Sequence, residues 1–486
     1  MITAVIIILY TLSLGLILVF SLGQLSLALF YKKKSEIVQI KRQKYYPLVT
    51  VQLPVYNEKF VVERLIDAVC KLNYPKEKLE IQVLDDSDDE TLRIIEDKVY
   101  EWQTKGINIL QILRENRDGY KAGALALGME HALGEFITVF DADFLPKEDF
   151  LHVMLPHFEN ENIGMVQSRW GHLNEDYSIL TRLQAFGLDA HFTVEQLGRN
   201  KAGSFISFNG TAGIWRKSCI EDAGGWSADT LTEDLDLSYR AQLKGWKFKY
   251  LENVVTPAEL PVTMPGVKSQ QYRWNKGAAE TARKNLGNVF SSDFSFRQKT
   301  HASFHLLNSS IFICLLLSGT LSIPMLKIKE DNPELGLLFN LGSIFFIGFI
   351  AIAYFYWISF KSVDPKRRFL NYFLKFPIFL AFSMGLSLHN SIAVLEGFLG
   401  IKSPFIRTPK FNIVSKSDNW IDKSYVNTKL NILIFFEILL AFYFMAGIGY
   451  GIYLNNYALL IFHLLLAIGF ASISILSFRH LAYVRG

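Results

Sequence analysis

Two short acidic motifs follow apolar runs of the sequence, and a third precedes a helical pattern. In one of them, Asp141 and Asp143 come directly after the run Phe136–Phe140, so their carboxylates are expected at the end of a strand. Mg²⁺ and Mn²⁺ take oxygen ligands and commonly bridge one or two carboxylates to substrate phosphates. We therefore predict that Asp141 and Asp143 bind Mg²⁺ or Mn²⁺ beside a diphosphate. The alternative is an acidic surface turn, which is common at strand ends.

A second acidic pair, Asp85 and Asp86, ends the apolar run Ile81–Leu84. Its carboxylates could bind the base and ribose of a nucleotide by accepting hydrogen bonds. The competing interpretation is a solvated turn that caps the next helix, and Asp88 and Asp89 are assigned to that turn. We predict a nucleotide-binding role for Asp85 and Asp86.

The third acidic motif, Thr232-Glu233-Asp234, precedes the helical pattern Leu235–Leu243. A carboxylate at the start of this helix could face a bound substrate, and we predict that Asp234 is a general base that takes the proton of an attacking hydroxyl. The same residues also fit an ordinary helix N-cap with favourable dipole interactions.

A fourth motif, Gln270-Gln271-Tyr272-Arg273-Trp274, lies in a polar stretch that is compatible with a helix. The planar guanidinium of Arg273 could pair with diphosphate oxygens through two hydrogen bonds. Trp274 offers a flat apolar face on which ring C–H groups can pack, with Gln270 as a polar neighbour, so we predict that both bind the second substrate. The alternative is that Trp274 anchors the chain at a membrane interface.

A scaffold for these motifs is predicted from about residue 47 to residue 287, where short apolar runs alternate with amphipathic stretches. This alternation is typical of an α/β domain with a mostly parallel sheet. Ligands of such sheets bind beyond the carboxyl ends of the strands, so the acidic motifs are expected to meet there. The candidate strands are Val49–Leu53, Leu79–Leu84, Ile107–Leu113 and Phe136–Phe140, and helical patterns begin near Glu58, Glu90 and Lys121.

The first 31 residues are almost continuously apolar, and about 20 such residues are enough to cross a membrane. Lysines follow this segment at positions 32 to 34, whereas a cleaved signal peptide, the alternative, would carry its positive charges before the apolar run. We therefore predict a transmembrane helix at residues 1–31. The lysines place the following domain, residues 47–287, in the cytosol.

The C-terminal part returns to apolar segments, and the positions of its basic residues decide which of them cross. We predict transmembrane hairpins at residues 302–360 and 430–478. Between them, residues 371–429 are predicted to form an interfacial helix and a loop, because the segment 371–399 is interrupted by Lys375, Pro377 and Glu396. Five spans then keep the basic loop and the C-terminus on the cytosolic side.

The overall composition excludes some classes of function. The 486 residues contain 50 Lys and Arg against 46 Asp and Glu, a balance that argues against a nucleic-acid partner. Cys70, Cys219 and Cys314 have neither the spacing of metal ligands nor an even number for disulfides.

In their order along the chain, the four motifs resemble those of the processive family-two glycosyltransferases of the cellulose synthase superfamily. Longer runs are similar to the cellulose synthase-like A and C group and its bacterial relatives, which include mannan and glucan synthases. These runs are Val83–Ser87, Gln167–Asn174 and Leu188–Gln196. The resemblance covers nearly all of residues 47–287 and implies a GT-A-type, Rossmann-like domain inserted between transmembrane helices.

The resemblance also implies roles for individual residues. Asp234 would be the catalytic base, and Asp141 and Asp143 would hold the metal. The residues implied to bind the donor are Asp85, Asp86, Lys121, Asp141 and Arg273, and those implied to bind the acceptor are Asn209, Gly210, Thr211, Glu233, Gln270 and Trp274. The run Phe405–Lys410 resembles the cytosolic gating loop of bacterial cellulose synthases, in which a Phe-x-x-Thr-x-Lys pattern covers the donor.

The function implied by the resemblance is inverting transfer of a hexose from a nucleotide sugar, UDP-glucose or GDP-mannose, to a glycan acceptor. The product would be a β-linked polysaccharide of the glucan or mannan type, made at the cytosolic face of a lipid membrane. One rival function is nonprocessive transfer of a sugar to a lipid acceptor. A rival of another class is a catalytically silent membrane scaffold, for which an incomplete set of carboxylates would be expected.

Overall fold

The computed structural model describes residues 1–33, 46–336, 339, 342–421, 423 and 432–485, with side chains up to residue 480. Lys34, the third lysine after the first apolar segment, lies outside these residues, as do 424–431 of the predicted loop and hairpin. Residues 49–258 contain one seven-stranded sheet. Its strands are β1 (Val49–Val55), β2 (Leu79–Asp85), β3 (Ile109–Leu113), β4 (Phe136–Val139), β5 (Ile163–His172), β6 (Gly213–Arg216) and β7 (Lys247–Ala258).

The order of the strands in the sheet is β3-β2-β1-β4-β6-β5-β7. All neighbours pair in parallel except β6, which runs antiparallel to both β4 and β5. The carboxyl ends of six strands therefore lie at one edge of the sheet. The amino end of β6 reaches the same edge, because Gly213 pairs with Val139 at the end of β4. This edge collects side chains from seven separate parts of the sequence.

Helices cover both faces of the sheet, and the central strands are accordingly apolar on both sides. Consecutive residues of β4 illustrate this, because Phe136 packs in one buried core and Ile137 in the other. The helices up to the end of this domain are α1 (Ile2–Lys32), α2 (Val62–Cys70), α3 (Thr91–Thr104), α4 (Tyr120–His131), α5 (Phe150–Met154), α6 (Ile179–Ala190), α7 (Gln196–Lys201), α8 (Lys217–Asp222), α9 (Glu233–Leu243) and α10 (Met264–Ser291).

The C-terminal region is helical. It contains α11 (Phe296–Leu307), α12 (Ile311–Asp331), α13 (Phe346–Val363), α14 (Phe369–Gly385), α15 (Ser387–Leu399), α16 (Leu433–Tyr453) and α17 (Leu460–Arg485). Five segments of the described chain are long and apolar enough to cross a membrane, so the chain has the features of a membrane protein. They are Ile2–Lys32, Phe296–Asp331, Gly342–Val363, Leu433–Tyr453 and Leu460–His480.

The segment predicted as interfacial forms the bent pair α14 and α15, whose axes differ by 49°. Such a pair is either a broken span or a re-entrant segment, so the predicted domain boundaries in this region stay a prediction. α10 lies between this pair and the sheet domain. A Cβ atom at Gly397 of α15 would lie 2.6 Å from the carbonyl oxygen of Lys276, so glycine is what permits the close approach of α10 and α15.

Candidate active site

A cleft of about 200 Å³ lies at the carboxyl edge of the sheet. Its walls are the strand ends, the start of α9, one face of α10, and the segment Phe405–Lys410, which we call the cleft loop. Eleven of the predicted site residues line it together: Asp86, Lys121, Asp141, Asp143, Asn209, Gly210, Glu233, Asp234, Gln270, Arg273 and Trp274. The structure therefore brings four motifs that are far apart in the sequence to one place.

Asp141 is held in the centre of the cleft by Lys121. The Lys121 ammonium lies 2.5 Å from Asp141 Oδ1, donates to the carbonyl oxygen of Gly210 at 2.9 Å, and lies 3.9 Å from Glu233 Oε1. The backbone N–H of Asp141 donates to Thr211 Oγ1 at 2.9 Å. Lys121 thus joins three parts of the site and offsets the negative charge of its carboxylates.

Asp143 is buried, with 5% of its surface exposed. Its Oδ2 accepts a hydrogen bond from the Lys410 ammonium at 2.7 Å and another from the backbone N–H of Glu259 at 3.1 Å. Lys410 also donates to the carbonyl oxygen of Glu259 at 2.7 Å. The cleft loop is therefore tied directly to one of the two predicted metal ligands.

The chemistry of Asp141 and Asp143 fits a divalent cation that is shared with a substrate. Each carboxylate is paired with a lysine through one oxygen, Oδ1 of Asp141 and Oδ2 of Asp143, so a bound cation would share the carboxylates with these ammonium groups or replace them. Within the described residues, no group of three or more His, Cys, Asp or Glu side chains could hold a metal. Mg²⁺ and Mn²⁺ would therefore need oxygens from water or from a substrate diphosphate as further ligands.

Asp234 and Glu233 lie in the first turn of α9, where the helix dipole favours negative charge. The side chain of Asp234 accepts a hydrogen bond from the N–H of Leu235 at 2.8 Å. Burial, together with the neighbouring Glu233 carboxylate, nevertheless raises the pKa of Asp234 to about 7. Burial also raises the pKa of Glu233. A carboxyl with a pKa near neutrality is suited to accept a proton at physiological pH.

Gly210 lies against this carboxylate in a backbone conformation that favours glycine, with φ of +77°. A Cβ atom there would lie 3.1 Å from Asp234 Oδ2 and 3.3 Å from the Lys121 nitrogen. A side chain at this position would therefore crowd Asp234 and Lys121 and would be strained at this φ.

Gln270, Arg273 and Trp274 lie on one face of α10 because residues three and four apart are neighbours on a helix. Arg273 donates to Thr408 Oγ1 at 3.0 Å and lies 4.6 Å from the centre of the Phe405 ring. Trp274 lies 6.5 Å from Trp170, ring centre to ring centre. The cleft loop thus covers Arg273, and Trp274 faces the cleft, as the substrate-binding interpretation requires.

Two predicted site residues lie outside the lining of the cleft. Asp85 is buried behind it, where its carboxylate accepts hydrogen bonds from the N–H of Ser87 at 2.9 Å and from Gln111 at 2.8 Å. Thr211 is fully buried, and its hydroxyl supports the backbone of Asp141. Their predicted contacts with substrate stay predictions, and Thr211 supports Asp141, which does line the cleft.

Asp86 lies at the other end of the cleft and is paired with two arginines. Its carboxylate accepts hydrogen bonds from Nε of Arg114 at 2.8 Å and from a second guanidinium nitrogen of Arg114. Arg117 Nε lies 3.9 Å from it, and the Arg117 guanidinium stacks 3.2 Å from the Tyr56 ring centre. A planar cation and an aromatic ring next to a carboxylate suit the recognition of a flat polar base.

Several residues that line the cleft are not predicted from the sequence, although they too lie at the carboxyl ends of strands, where ligands are expected to bind. Tyr56 and Glu58 follow β1, Trp170 lies near the end of β5, and Glu259 follows β7. Burial, with a further contribution from Asp143, raises the pKa of Glu58 to about 8, and Arg407 of the cleft loop lies 3.1 Å from this carboxyl. Applying the rule to β1 and recognising β5 and β7 as strands would have found them.

A second cavity of about 1640 Å³ lies between α1 and the C-terminal helices. It shares Leu188, Gln270 and Trp274 with the cleft, so these side chains lie where the two spaces meet. Apolar side chains make up most of its wall, and polar side chains such as His191 and Glu195 also line it.

The strand order, the carboxylates at the strand ends and the helices on both faces define a GT-A-type glycosyltransferase domain. Residues 47–277 match the family described as glycosyltransferase like family 2, and this domain belongs to that family. The fold is similar to that of the mannosyltransferase PcManGT from Pyrobaculum calidifontis in complex with GDP-Man and Mn²⁺, with a TM-score of 0.53 at 20% identity. The match covers 76% of this chain and 100% of the other, and it confirms the predicted fold class.

Curated relatives are more similar in sequence. Glucomannan 4-beta-mannosyltransferase 1 of Oryza sativa subsp. japonica is 39% identical over 343 residues, and glucomannan 4-beta-mannosyltransferase 2 of Arabidopsis thaliana is 40% identical over 343 residues. Each alignment covers 66% of this chain, and it covers 65% and 64% of the two relatives. The chain thus spans just under two thirds of their length. The predicted resemblance to the mannan synthase group is confirmed.

Proposed function

We propose that this protein transfers mannose from GDP-mannose to a glycan acceptor with inversion, and that it builds a β-linked polysaccharide of the mannan or glucomannan type. The observation that carries the proposal is the meeting in one cleft of Asp141 and Asp143, of Asp234, and of Arg273 with Trp274. These are the groups required to hold a metal-bound diphosphate, to accept a proton and to seat a sugar.

The proposed reaction is a single displacement at the anomeric carbon of the donor. An acceptor hydroxyl loses its proton to Asp234 while its oxygen forms a bond to that carbon, and the bond from the carbon to the phosphate oxygen breaks. The nucleoside diphosphate leaves with both bonding electrons. Attack opposite to the leaving group converts the α-linked donor into a β-linked product.

The remaining groups of the cleft stabilise the leaving diphosphate. Asp141 and Asp143 would hold Mg²⁺ or Mn²⁺, which supplies positive charge to the departing oxygens. Arg273 can add two parallel hydrogen bonds to the diphosphate, and Lys121 keeps Asp141 in place. Trp274 would form the floor for the acceptor sugar, since sugar C–H surfaces pack on aromatic rings.

GDP-mannose is the preferred donor because the curated relatives carry the name mannosyltransferase and the structural neighbour was solved with GDP-Man. UDP-glucose is the second candidate. The base would lie at the end of the cleft formed by Tyr56, Asp86 and Arg117.

We infer that the domain faces the cytosol, because Lys32 and Lys33 follow the first candidate span and positive residues favour the cytosolic side. The second cavity begins at Trp274 and passes between the candidate spans. It offers a protein-lined route by which a polar glycan avoids hydrocarbon.

The proposal is tested with the full chain in lipid nanodiscs, incubated with GDP-mannose or UDP-glucose, an oligosaccharide acceptor, and Mg²⁺ or Mn²⁺. We expect polymer from GDP-mannose that a β-mannanase degrades, and no product from Asp234→Asn, which should still bind donor. Polymer formation by Asp234→Asn at the wild-type rate would refute the assignment of the base. A product with one added sugar, or with a lipid acceptor, would favour the nonprocessive alternative.

A further inference from the structure

The contact between Lys410 and Asp143 joins two residues that are distant in the sequence. Lys410 is 9% exposed and Asp143 is 5% exposed, so the pair lies away from bulk water. The ammonium reaches Asp143 Oδ2 at 2.7 Å and the carbonyl oxygen of Glu259 at 2.7 Å. Lys410 is therefore held by two oxygens at one side of the predicted metal ligand.

A buried carboxylate needs a positive partner, because the cost of its desolvation is large when it is unpaired. Lys410 provides this partner when no metal is bound. A divalent cation that binds Asp143 would lie next to the Lys410 ammonium. Two cations beside one carboxylate repel each other, and the burial of Lys410 and Asp143 reduces the screening of this repulsion by water. Metal and Lys410 therefore compete for Asp143.

The same loop engages the predicted diphosphate ligand. Thr408 accepts a hydrogen bond from Arg273 at 3.0 Å, and the Phe405 ring lies 4.6 Å from the Arg273 guanidinium. These residues are separated from Lys410 by at most five positions, so we expect a displacement of the lysine to shift the groups that cover Arg273 as well. Binding of the cation and exposure of Arg273 are linked through one short segment.

We propose that Lys410 is the resident counter-ion of Asp143, that a divalent cation must displace it on binding, and that this exchange sets the metal affinity of the site. The proposal rests on the metal site of the proposed function. It assigns to Lys410 a role in the loading of the metal that is separate from any contact with the donor.

The test compares Lys410→Ala with the wild-type chain in nanodiscs by titration with Mn²⁺, with free Mn²⁺ followed by electron paramagnetic resonance. The titration is done without nucleotide and again with GDP. We expect Lys410→Ala to bind Mn²⁺ about tenfold more tightly, which corresponds to about 1.4 kcal/mol. Lys410→Gln keeps a hydrogen-bond donor without the charge and should change the affinity in the same direction.

The matched control is Lys416→Ala, which removes an exposed lysine a few residues further along the chain. It should leave Mn²⁺ affinity at the wild-type value. A second control places Lys410→Ala in an Asp143→Asn background, where the competition no longer exists and the tightening should disappear. Melting temperatures establish that each variant is folded.

Unchanged or weaker Mn²⁺ binding by both Lys410 variants would overturn the proposal. Equal tightening in the Asp143→Asn background would also overturn it, because the effect would then not pass through Asp143. These outcomes are distinct from failure of the proposed function. If the wild-type chain makes polymer but the Lys410 variants bind Mn²⁺ with unchanged affinity, only the exchange is refuted. If the Lys410 variants bind Mn²⁺ more tightly but the wild-type chain transfers no sugar, only the transferase activity is refuted.

Discussion

The raised pKa of Asp234 predicts a pH dependence of sugar transfer that an ordinary carboxyl would not give. The base must be deprotonated to accept the hydroxyl proton, so activity is lost as the pH falls through its pKa. With a pKa of about 7, about one carboxyl in ten is deprotonated at pH 6 and about nine in ten at pH 8. The value of kcat/KM for the donor should therefore be about tenfold lower at pH 6 than at pH 8. With the ordinary value of 3.8, it would be almost constant over this range.

The cause of the shift can be tested with a neighbouring residue. Glu233→Gln removes the like charge that contributes to the shift after burial, so the inflection should move to lower pH. The assay is the initial rate of GDP release over pH 5.5 to 9 at low donor concentration and constant free Mn²⁺. A rate that is flat between pH 6 and pH 8 would refute the reasoning. An inflection that is lost in Glu58→Gln but kept in Glu233→Gln would instead assign the titration to Glu58, whose pKa is about 8.

Other contacts in the structure predict effects that can be measured on the same preparation. Gly210→Ala places a side chain at positive φ and 3.1 Å from Asp234 Oδ2, so kcat should fall about tenfold or more while the melting temperature changes little. EDTA should abolish transfer and Mn²⁺ should restore it, with Asp143→Asn needing at least about tenfold more Mn²⁺ for half-maximal rate. Lys268→Ala removes the partner that lies 2.8 Å from the buried Glu437 carboxylate, so it should lower the free energy of unfolding by about 3 to 5 kcal/mol. The double variant Lys268→Met with Glu437→Leu leaves no unpaired charge and should regain most of this stability, measured by thermal unfolding.

The sheet shows which parts of the fold can be predicted from the sequence alone. β1, β2 and β4 are short apolar runs bounded by polar residues, and their predicted positions agree with the structure to within two residues. β5, β6 and β7 were not predicted as strands. β7 contains Lys247, Lys249, Glu252 and Asn253, so it has no continuous apolar run, and β6 has only four residues. Pairing with neighbouring strands, rather than local composition, determines these three.

Those residues of the candidate site that lie in recognisable local patterns are predicted from the sequence. Asp141, Asp143 and Asp234 lie at element ends, and Arg273 and Trp274 share a helical face, so spacing is sufficient to find them. The contacts of the cleft loop cannot be predicted from local sequence. Lys410 and Asp143 are 267 positions apart, and no periodicity relates them. The resemblance to a gating loop indicated that the segment covers the donor, but it did not indicate which side chain reaches the carboxylate.

α10 contacts both the candidate site and the C-terminal helices. Arg273 and Trp274 of α10 line the cleft, while Lys268 and Lys276, which are about two turns apart, contact the C-terminal helices. Lys268 pairs with Glu437 of α16, and Lys276 donates to Glu396 of α15 at 3.2 Å and to Ser403 at 2.8 Å. Since α10 carries both sets of contacts, we expect a shift of α15 or α16 to change the positions of Arg273 and Trp274. The candidate spans therefore support the residues proposed to hold the diphosphate and the acceptor, and we expect a fragment ending before α15 to lose part of the support of its candidate site.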